Sequence, residues 1–244
     1  MSSEKHTGLL LVLDLGKDSF GELALRLVRL GVDAVLAAGL DEAELMAREE
    51  QVRIRGMLLP AEASGEQIDQ VLESIGTHAG VGAETLAVIG PRPDEARLEA
   101  LRQRSIGLRL WEPVEDRDLR FLGSSLLWLG SDDDLRLDIR IPTALPGLAS
   151  HGRDARTVTV GDISPSGARL ETAVPFDLGS FVELEIALPG GSAVTISAVV
   201  CWVAEDGSDP ARPPAFGVEF LEPSTAILLA LAEHIESERA RFLL

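Results

Sequence analysis

Two short polar motifs in the second half of the chain contain the residue types best suited to bind a ligand. The first is Arg136-Leu137-Asp138-Ile139-Arg140, and the second is Asp162-Ile163-Ser164-Pro165-Ser166-Gly167. An arginine side chain donates hydrogen bonds in pairs and stays charged, so it suits phosphate oxygens and the O6/N7 edge of guanine. A carboxylate such as Asp162 suits the N1–H and N2–H₂ donors of guanine, and Gly167 lets the backbone approach a flat base. The groups in the two motifs would thus suit a guanine nucleotide with phosphodiester groups.

Each motif also has an ordinary explanation. Asp, Ser, Pro and Gly all favour turns, so the second motif is equally typical of a hairpin connection. Two arginines four positions apart are common in any protein. The prediction of a site depends on both motifs occurring together, in this order, within a suitable set of strands.

The elements around the motifs are short strands. The acidic run Ser131–Asp134 is interpreted as a linker, and helical spacing disappears after it. Segments of alternating or β-branched residues follow, separated by Gly and Pro. These predicted strands are Thr157–Val160, Ala168–Glu171, Phe181–Ile186, Val194–Val200 and Phe216–Phe220. A helix is predicted from Ser224 to about Arg241, with Ile227, Leu231, His234 and Ile235 on one side. The pattern indicates an antiparallel β-barrel with a C-terminal helix.

Residues 136–241 resemble the PilZ family. The resemblance rests on the two motifs and on the segments "DISPSGARL", "LGSFVELEIALP", "AVVCWV" and "FGVEF", which follow the family's order of barrel strands. It implies a bacterial receptor for cyclic di-GMP (c-di-GMP), often bound as an intercalated dimer, which converts binding into a conformational or partner-binding change. By this resemblance, Arg136 and Arg140 would clamp phosphate and guanine edges, and Asp162, Ser164 and Gly167 would hold the other guanine. No cofactor is expected besides this ligand.

The sequence departs from the family pattern in its acidic residues. PilZ domains usually have a basic run before the arginine motif, whereas Asp132, Asp133 and Asp134 precede it here and Asp138 lies within it. Carboxylates within a Debye length, roughly 8 Å at physiological salt, oppose a dianionic ligand. We therefore expect weaker affinity, unless Arg153 or Arg156 contributes. The alternative function is a ligand-independent protein-interaction scaffold, and the acidic run is the observation that favours it.

The first half alternates apolar runs with helical patterns. The runs predict five buried strands at Leu9–Leu13, Ala34–Ala38, Gly56–Pro60, Leu86–Gly90 and Leu108–Trp111. Five β–α units predict a doubly wound parallel sheet with helices on both faces. The chain is thus expected to be α/β followed by β, with one domain at residues 1–130 and a second at residues 131–244.

The β–α order and the closing "WEPV" of the first domain resemble a response-regulator receiver. A working receiver needs a phosphoacceptor Asp after its third strand, an acidic pair after its first and a Lys before the Pro near its fifth. Here the third strand ends at Pro60, the first is followed only by Asp14 and Asp18, and Glu112 stands where Lys is expected. The resemblance therefore implies a degenerate receiver that serves partner docking or homodimerisation. A phosphorylated response regulator is the third hypothesis, which predicts labelling by a small phosphodonor, and we expect none.

Composition restricts the remaining functions. A net charge of −18 opposes broad binding to nucleic acids or to anionic membrane surfaces. The four histidines have no metal-ligand spacing, and the only cysteine, Cys201, lies in a strand pattern and is expected to be a core residue. No apolar run is long enough to cross a bilayer. We expect a cytoplasmic protein that is not an enzyme.

Overall fold

The computed structural model describes residues 8–16, 19–49, 52–129, 140–204 and 214–244. The chain forms two compact units. The first comprises Met1–Leu135 with Arg241–Leu244, and the second comprises Arg136–Ala240. The boundary that we expected at residues 130 and 131 lies outside the described residues. The last four residues, which we assigned to the second domain from the sequence, belong to the first unit.

A parallel sheet forms the centre of the first unit. Its strands are β1 (Leu9–Leu13), β2 (Ala34–Ala37), β3 (Ile54–Pro60), β4 (Leu86–Gly90) and β5 (Leu108–Trp111). Their spatial order is β2-β1-β3-β4-β5, and all four pairings are parallel. The three central strands are almost entirely buried, which explains why they are continuous apolar runs. The predicted five-stranded, doubly wound sheet is confirmed.

Helices cover both faces of this sheet. They are α1 (Ser19–Arg29), α2 (Leu40–Arg48), α3 (Gly65–Val71), α4 (Thr77–Ala79), α5 (Glu95–Gln103) and α6 (Asp116–Leu129). A π-helical turn at Leu72–Gly76 joins α3 to α4, and a 3₁₀ turn at Ala83–Thr85 precedes β4. Successive residues of β1 point to opposite faces. Leu11 therefore packs in one core cluster with Ile68 of α3, while Leu10 packs in the other with Leu122 of α6.

The second unit is a closed six-stranded barrel. Its strands are β6 (Ile141–His151), β7 (Asp154–Ser164), β8 (Gly167–Glu171), β9 (Phe181–Ala187), β10 (Ala193–Ala204) and β11 (Ala215–Phe220). They follow the order β10-β11-β8-β7-β6-β9, and every pairing is antiparallel. Residues of β9 alternate strictly between exposed and buried, as expected of a barrel wall. The predicted antiparallel barrel is confirmed.

A C-terminal helix follows the barrel, as predicted. Helix α7 spans Thr225–Arg239, and the side chain of Ser224 caps it by accepting a hydrogen bond from the amide of Ile227. Its buried residues are Leu231, His234 and Ile235. Among the described residues, no helix has the length and apolar character needed to span a membrane.

The last four residues, Arg241–Leu244, form a tail that completes the first unit. Phe242 is 1% exposed and packs against Phe121 of α6, with 4.5 Å between ring centroids. The amide of Arg109 donates to the carbonyl of Phe242 at 2.8 Å, and Leu243 bridges to Leu108 in an antiparallel sense. The tail therefore pairs with β5, the edge strand of the sheet, and covers its open backbone groups.

Candidate functional site

Asp162 and Arg169 face each other across the β7–β8 hairpin. The two strands are joined through Pro165 and Ser166, and Ser164 pairs with Gly167 at the turn. Continuing this register sets Asp162 opposite Arg169. The neighbours of Arg169 on β8, Ala168 and Leu170, are fully buried, so Arg169 and Asp162 lie on the outer face of the barrel.

The carboxylate of Asp162 lies between two arginines. Arg169 Nε donates a hydrogen bond to Asp162 Oδ2 at 2.8 Å. Arg140 Nη1 lies 3.7 Å from Asp162 Oδ1, an ion-pair distance that is too long for a hydrogen bond. The side chains of Asp162 and Arg169 are only 15% and 14% exposed, whereas that of Arg140 is 28% exposed. The structure thus brings together Arg140 and Asp162, two of the five residues predicted to bind the ligand.

Ser164 and Gly167 lie at the adjacent turn, where both have structural roles. Ser164 is 1% exposed, and its hydroxyl donates to the carbonyl of Gly167 at 3.3 Å. A Cβ atom on Gly167 would lie 2.3 Å from the carbonyl oxygen of Val218 on β11. The close pairing of β8 with β11 therefore requires glycine at this position, whether or not a base also approaches it.

Arg136, the fifth predicted site residue, lies outside the described residues. The acidic residues 132–134 and Asp138 lie outside them as well. The structure does describe Arg156, which we considered as a helper for the site. Its guanidinium lies 3.9 Å from the ring centroid of Phe176 and donates to the carbonyls of Val174 and Pro175. Arg156 is therefore already engaged by the loop that follows β8.

Sequence reasoning missed Arg169, although the necessary signal was present. A two-residue hairpin connection at Pro165 and Ser166 sets the register of the strands on either side. Counting outward from the turn places Asp162 opposite Arg169, so the ion pair between them could have been predicted. The partner of Arg169 on its own strand, Glu171, follows from the two-residue period of a strand.

The comparison with family models decides which domain this is. The model described as PilZ domain matches residues 134–237, which span the site and all six strands of the barrel. Residues 134–237 are a PilZ domain. A search of curated proteins found no match to the chain.

Solved structures similar to the chain include a PilZ domain and two further proteins. The inhibitor of motility MotI/DgrA of Bacillus subtilis is 18% identical with a TM-score of 0.39, and the alignment covers 44% of this chain and 53% of that one. The PilZ domain of YcgR from Escherichia coli with c-di-GMP is 18% identical with a TM-score of 0.37, covering 44% and 93%. The K. pneumonia MrkH–c-di-GMP complex is 15% identical with a TM-score of 0.37, covering 43% and 52%. The alignment thus spans about half the length of MotI/DgrA and of MrkH.

The outer face of the PilZ domain continues from Arg169 to Trp202. Gly217 on β11 pairs with Arg169 on one side and with Trp202 of β10 on the other. A Cβ atom at Gly217 would lie 1.9 Å from Trp202 Nε1, so the half-buried indole covers the backbone of this glycine. The register of β10 shifts between Val200 and Trp202, and Cys201 is exposed rather than part of the core, contrary to our prediction.

The structure places the residues of the first unit that we compared with a receiver at the ends of its strands. Asp14 follows β1, and its Oδ1 accepts a hydrogen bond from the amide of Gly16 at 2.9 Å. Strand β3 ends at Pro60, and Glu112 follows β5. Among the described residues, no group of three or more His, Cys, Asp or Glu side chains could hold a metal ion. Asp18 lies outside the described residues.

Proposed function

We propose that the PilZ domain is a c-di-GMP receptor that passes ligand binding to a protein partner. The observation that carries this proposal is the meeting of Arg140 and Asp162 on the outer face of the barrel, beside the turn that ends at Gly167. These residues come from the two motifs through which the chain resembles PilZ domains that bind this nucleotide. Membership of the family supports the ligand, and the ion pair supports a single site built from both motifs.

The ion pair between Arg140 and Asp162 is arranged so that a ligand can replace it. At 3.7 Å the two side chains attract each other without a hydrogen bond, and Arg140 is 28% exposed. Breaking this contact breaks no hydrogen bond, whereas separating Asp162 from Arg169 would. The N1–H and N2–H₂ groups of a guanine would then donate to Asp162, while Arg140 would turn to a phosphate or to the O6/N7 edge of a base. Arg136 is expected to act in the same way.

Ligand binding would change the outer face of the barrel at the start of β6. Arg140 immediately precedes β6, so its movement from Asp162 to a phosphate would alter the surface beside this strand. We propose that a protein partner detects this change. The receptor needs no cofactor and performs no catalysis under this proposal, because binding energy alone shifts the population of two arrangements.

The first unit serves partner docking or homodimerisation in this proposal. Its parallel sheet is intact, whereas the phosphoacceptor and the Lys of a working receiver are replaced by Pro60 and Glu112 at the strand ends. We place the protein in the cytoplasm, as the sequence leads us to expect. Sedimentation of the full chain with and without c-di-GMP would test the dimer: a single monomer mass in both conditions would exclude it.

Calorimetric titration of the full chain with c-di-GMP tests the receptor function. We expect saturable binding by the wild type, and a loss of about 10-fold or more in affinity for Arg140→Ala, because a charge-assisted hydrogen bond contributes about 1.5–3 kcal/mol. Arg239→Ala is the matched control. It removes one positive charge from an exposed side chain of the same unit and should leave affinity unchanged. No binding at tens of micromolar nucleotide, or equal affinity in Arg140→Ala, would reject the proposal.

The second candidate function is the ligand-independent scaffold. Arg169 already pairs with both Asp162 and Glu171, so these side chains have partners without a nucleotide. A silent titration of a folded protein, together with a partner that binds equally well with and without c-di-GMP, would favour the scaffold.

A further inference from the structure

Arg169 is held in place by two carboxylates. Its Nε donates to Asp162 Oδ2 at 2.8 Å, and its Nη2 donates to Glu171 Oε1 at 2.6 Å. The side chain is 14% exposed although it lies on the outer face of the barrel. Two carboxylates thus fix both the position and the direction of the guanidinium.

The backbone of β7 is shaped to accommodate this arrangement. The β7–β8 register shifts between Val160 and Asp162, which leaves Gly161 as the extra residue of a bulge. A Cβ atom at Gly161 would lie 2.5 Å from Arg169 Nη2 and 2.9 Å from Glu171 Oε1. The missing side chain therefore provides the space in which Arg169 and Glu171 meet, and the bulge sets Thr159 rather than Val160 opposite Glu171.

The contact orients the Asp162 carboxylate toward the proposed ligand. Arg169 engages Oδ2, whereas Oδ1 is on the side of Arg140, the residue expected to turn to the nucleotide. An ionised carboxylate has about four lone-pair sites, so Oδ2 can accept from Arg169 and still share a guanine donor. Oδ1 is buried in the structure, so a guanine donor would reach it only after Arg140 turns away. A carboxylate held at a fixed rotation by Arg169 then loses little side-chain entropy when the guanine binds.

From these contacts we infer that Arg169 is a positioning residue for guanine recognition, acting through Asp162 and itself held by Glu171. This inference rests on the proposed function of the PilZ domain. Adenine has no N1–H and no 2-amino group, so the contact with Asp162 favours c-di-GMP over c-di-AMP. Arg169 thereby contributes to the choice of base and not only to the attraction of phosphate.

A double-mutant cycle tests whether Arg169 acts through Asp162. We would titrate c-di-GMP and c-di-AMP into the wild type, Arg169→Gln, Asp162→Ala and the double variant. Arg169→Gln is expected to weaken c-di-GMP binding about 10-fold and to reduce the preference over c-di-AMP. In the Asp162→Ala background the same change should have less than about a twofold effect. Equal fold losses in both backgrounds, or an unchanged base preference, would overturn the inference.

The Glu171→Gln variant and the wild-type titration distinguish failure of the inference from failure of the proposed function. Glu171→Gln loosens Arg169 while leaving both Asp162 and the arginine charge in place, so it should weaken c-di-GMP binding by a smaller factor even if Arg169→Gln fails to fold. Unchanged affinity and base preference in Glu171→Gln would count against the inference. If the wild type binds no c-di-GMP, the proposed function fails and the inference fails with it. If the wild type binds but the cycle is additive, only the inference fails.

Discussion

Individual residues of the candidate site have structural roles beside the ligand-directed roles that we propose, and the sequence separates the two only in part. The types of Arg140 and Asp162 led us to predict one site for both, because charge and hydrogen-bonding capacity are properties of the residue, and the structure places the two side chains at ion-pair distance. The burial of the Ser164 hydroxyl and the contact of Gly167 with β11 were not predictable, because they depend on which strand packs beside the turn. A loss of binding at these two positions therefore does not by itself demonstrate a ligand contact.

Gly167→Ala should destabilise the PilZ domain before any ligand is added. Its new Cβ would lie 2.3 Å from a backbone oxygen of Val218, which cannot rotate away, so we expect a loss of about 1–3 kcal/mol or more. Urea unfolding of the variant beside Ser166→Ala, which changes an exposed residue of the same turn, would measure this loss. Equal stability of the two variants would show that the β8–β11 pairing can accommodate a Cβ atom at position 167.

The carboxylate of Asp118 on α6 gives the first unit a pH-dependent stability. Burial raises the pKa of Asp118 above its usual value of 3.8, and this outweighs the opposing attraction of Arg241 and Arg117. The folded state therefore holds the Asp118 proton more tightly than the unfolded chain, so stability falls as pH rises from about 3.8 through the raised pKa. Asp118→Asn should remove this part of the pH dependence.

The measurement is the free energy of unfolding of wild type and Asp118→Asn across that pH range. The free energy of unfolding of Asp118→Asn relative to that of the wild type should increase as pH rises. Asp116→Asn is the control on the same helix, since its side chain is 57% exposed. A difference that moves in favour of the wild type as pH rises would contradict the account.

At the scale of elements, strands with strong alternation were predicted well and β6 was missed. Strand β6 contains Pro142, Pro146 and Gly147, which normally interrupt strands. The structure tolerates both prolines because they lie in the first part of β6, which pairs with β7 alone, whereas β9 pairs only from Gly147 to Ser150. Whether a strand has one or two neighbours is a property of the closed barrel, so local sequence could not reveal it.

The C-terminal tail is the element whose position the sequence did not indicate. Phe242→Ala should destabilise the first unit by about 3–5 kcal/mol, because the ring is 1% exposed and packs on Phe121. Leu243→Ala, at a position that is 39% exposed, should cost much less. Chemical denaturation of both variants would test this difference, and a similar small cost for each would show that the tail does not contribute to the core.

At the scale of the whole molecule, the chain begins in the first unit, forms the PilZ domain and ends in the first unit again. Composition predicted two folded parts and an acidic protein, with a net charge of −18 that opposes general binding of anions. The dianionic ligand that we propose would therefore depend on local arginines and on hydrogen bonds of defined geometry. Phe242 places the C-terminal tail in the first unit through buried contacts. No periodic pattern in the sequence predicts these contacts.

The most direct test of the central claim is an NMR titration of the ¹⁵N-labelled full chain with c-di-GMP, following backbone amides and arginine Nε–Hε groups. We predict saturable shifts at Arg140, at residues 162–167 and at the Nε–Hε group of Arg169, with c-di-AMP producing weaker changes at the same positions. Resonances of Arg156 and of helix α5 should stay unchanged. An absence of saturable shifts, or shifts confined to the first unit, would contradict the assignment of this surface as a nucleotide site.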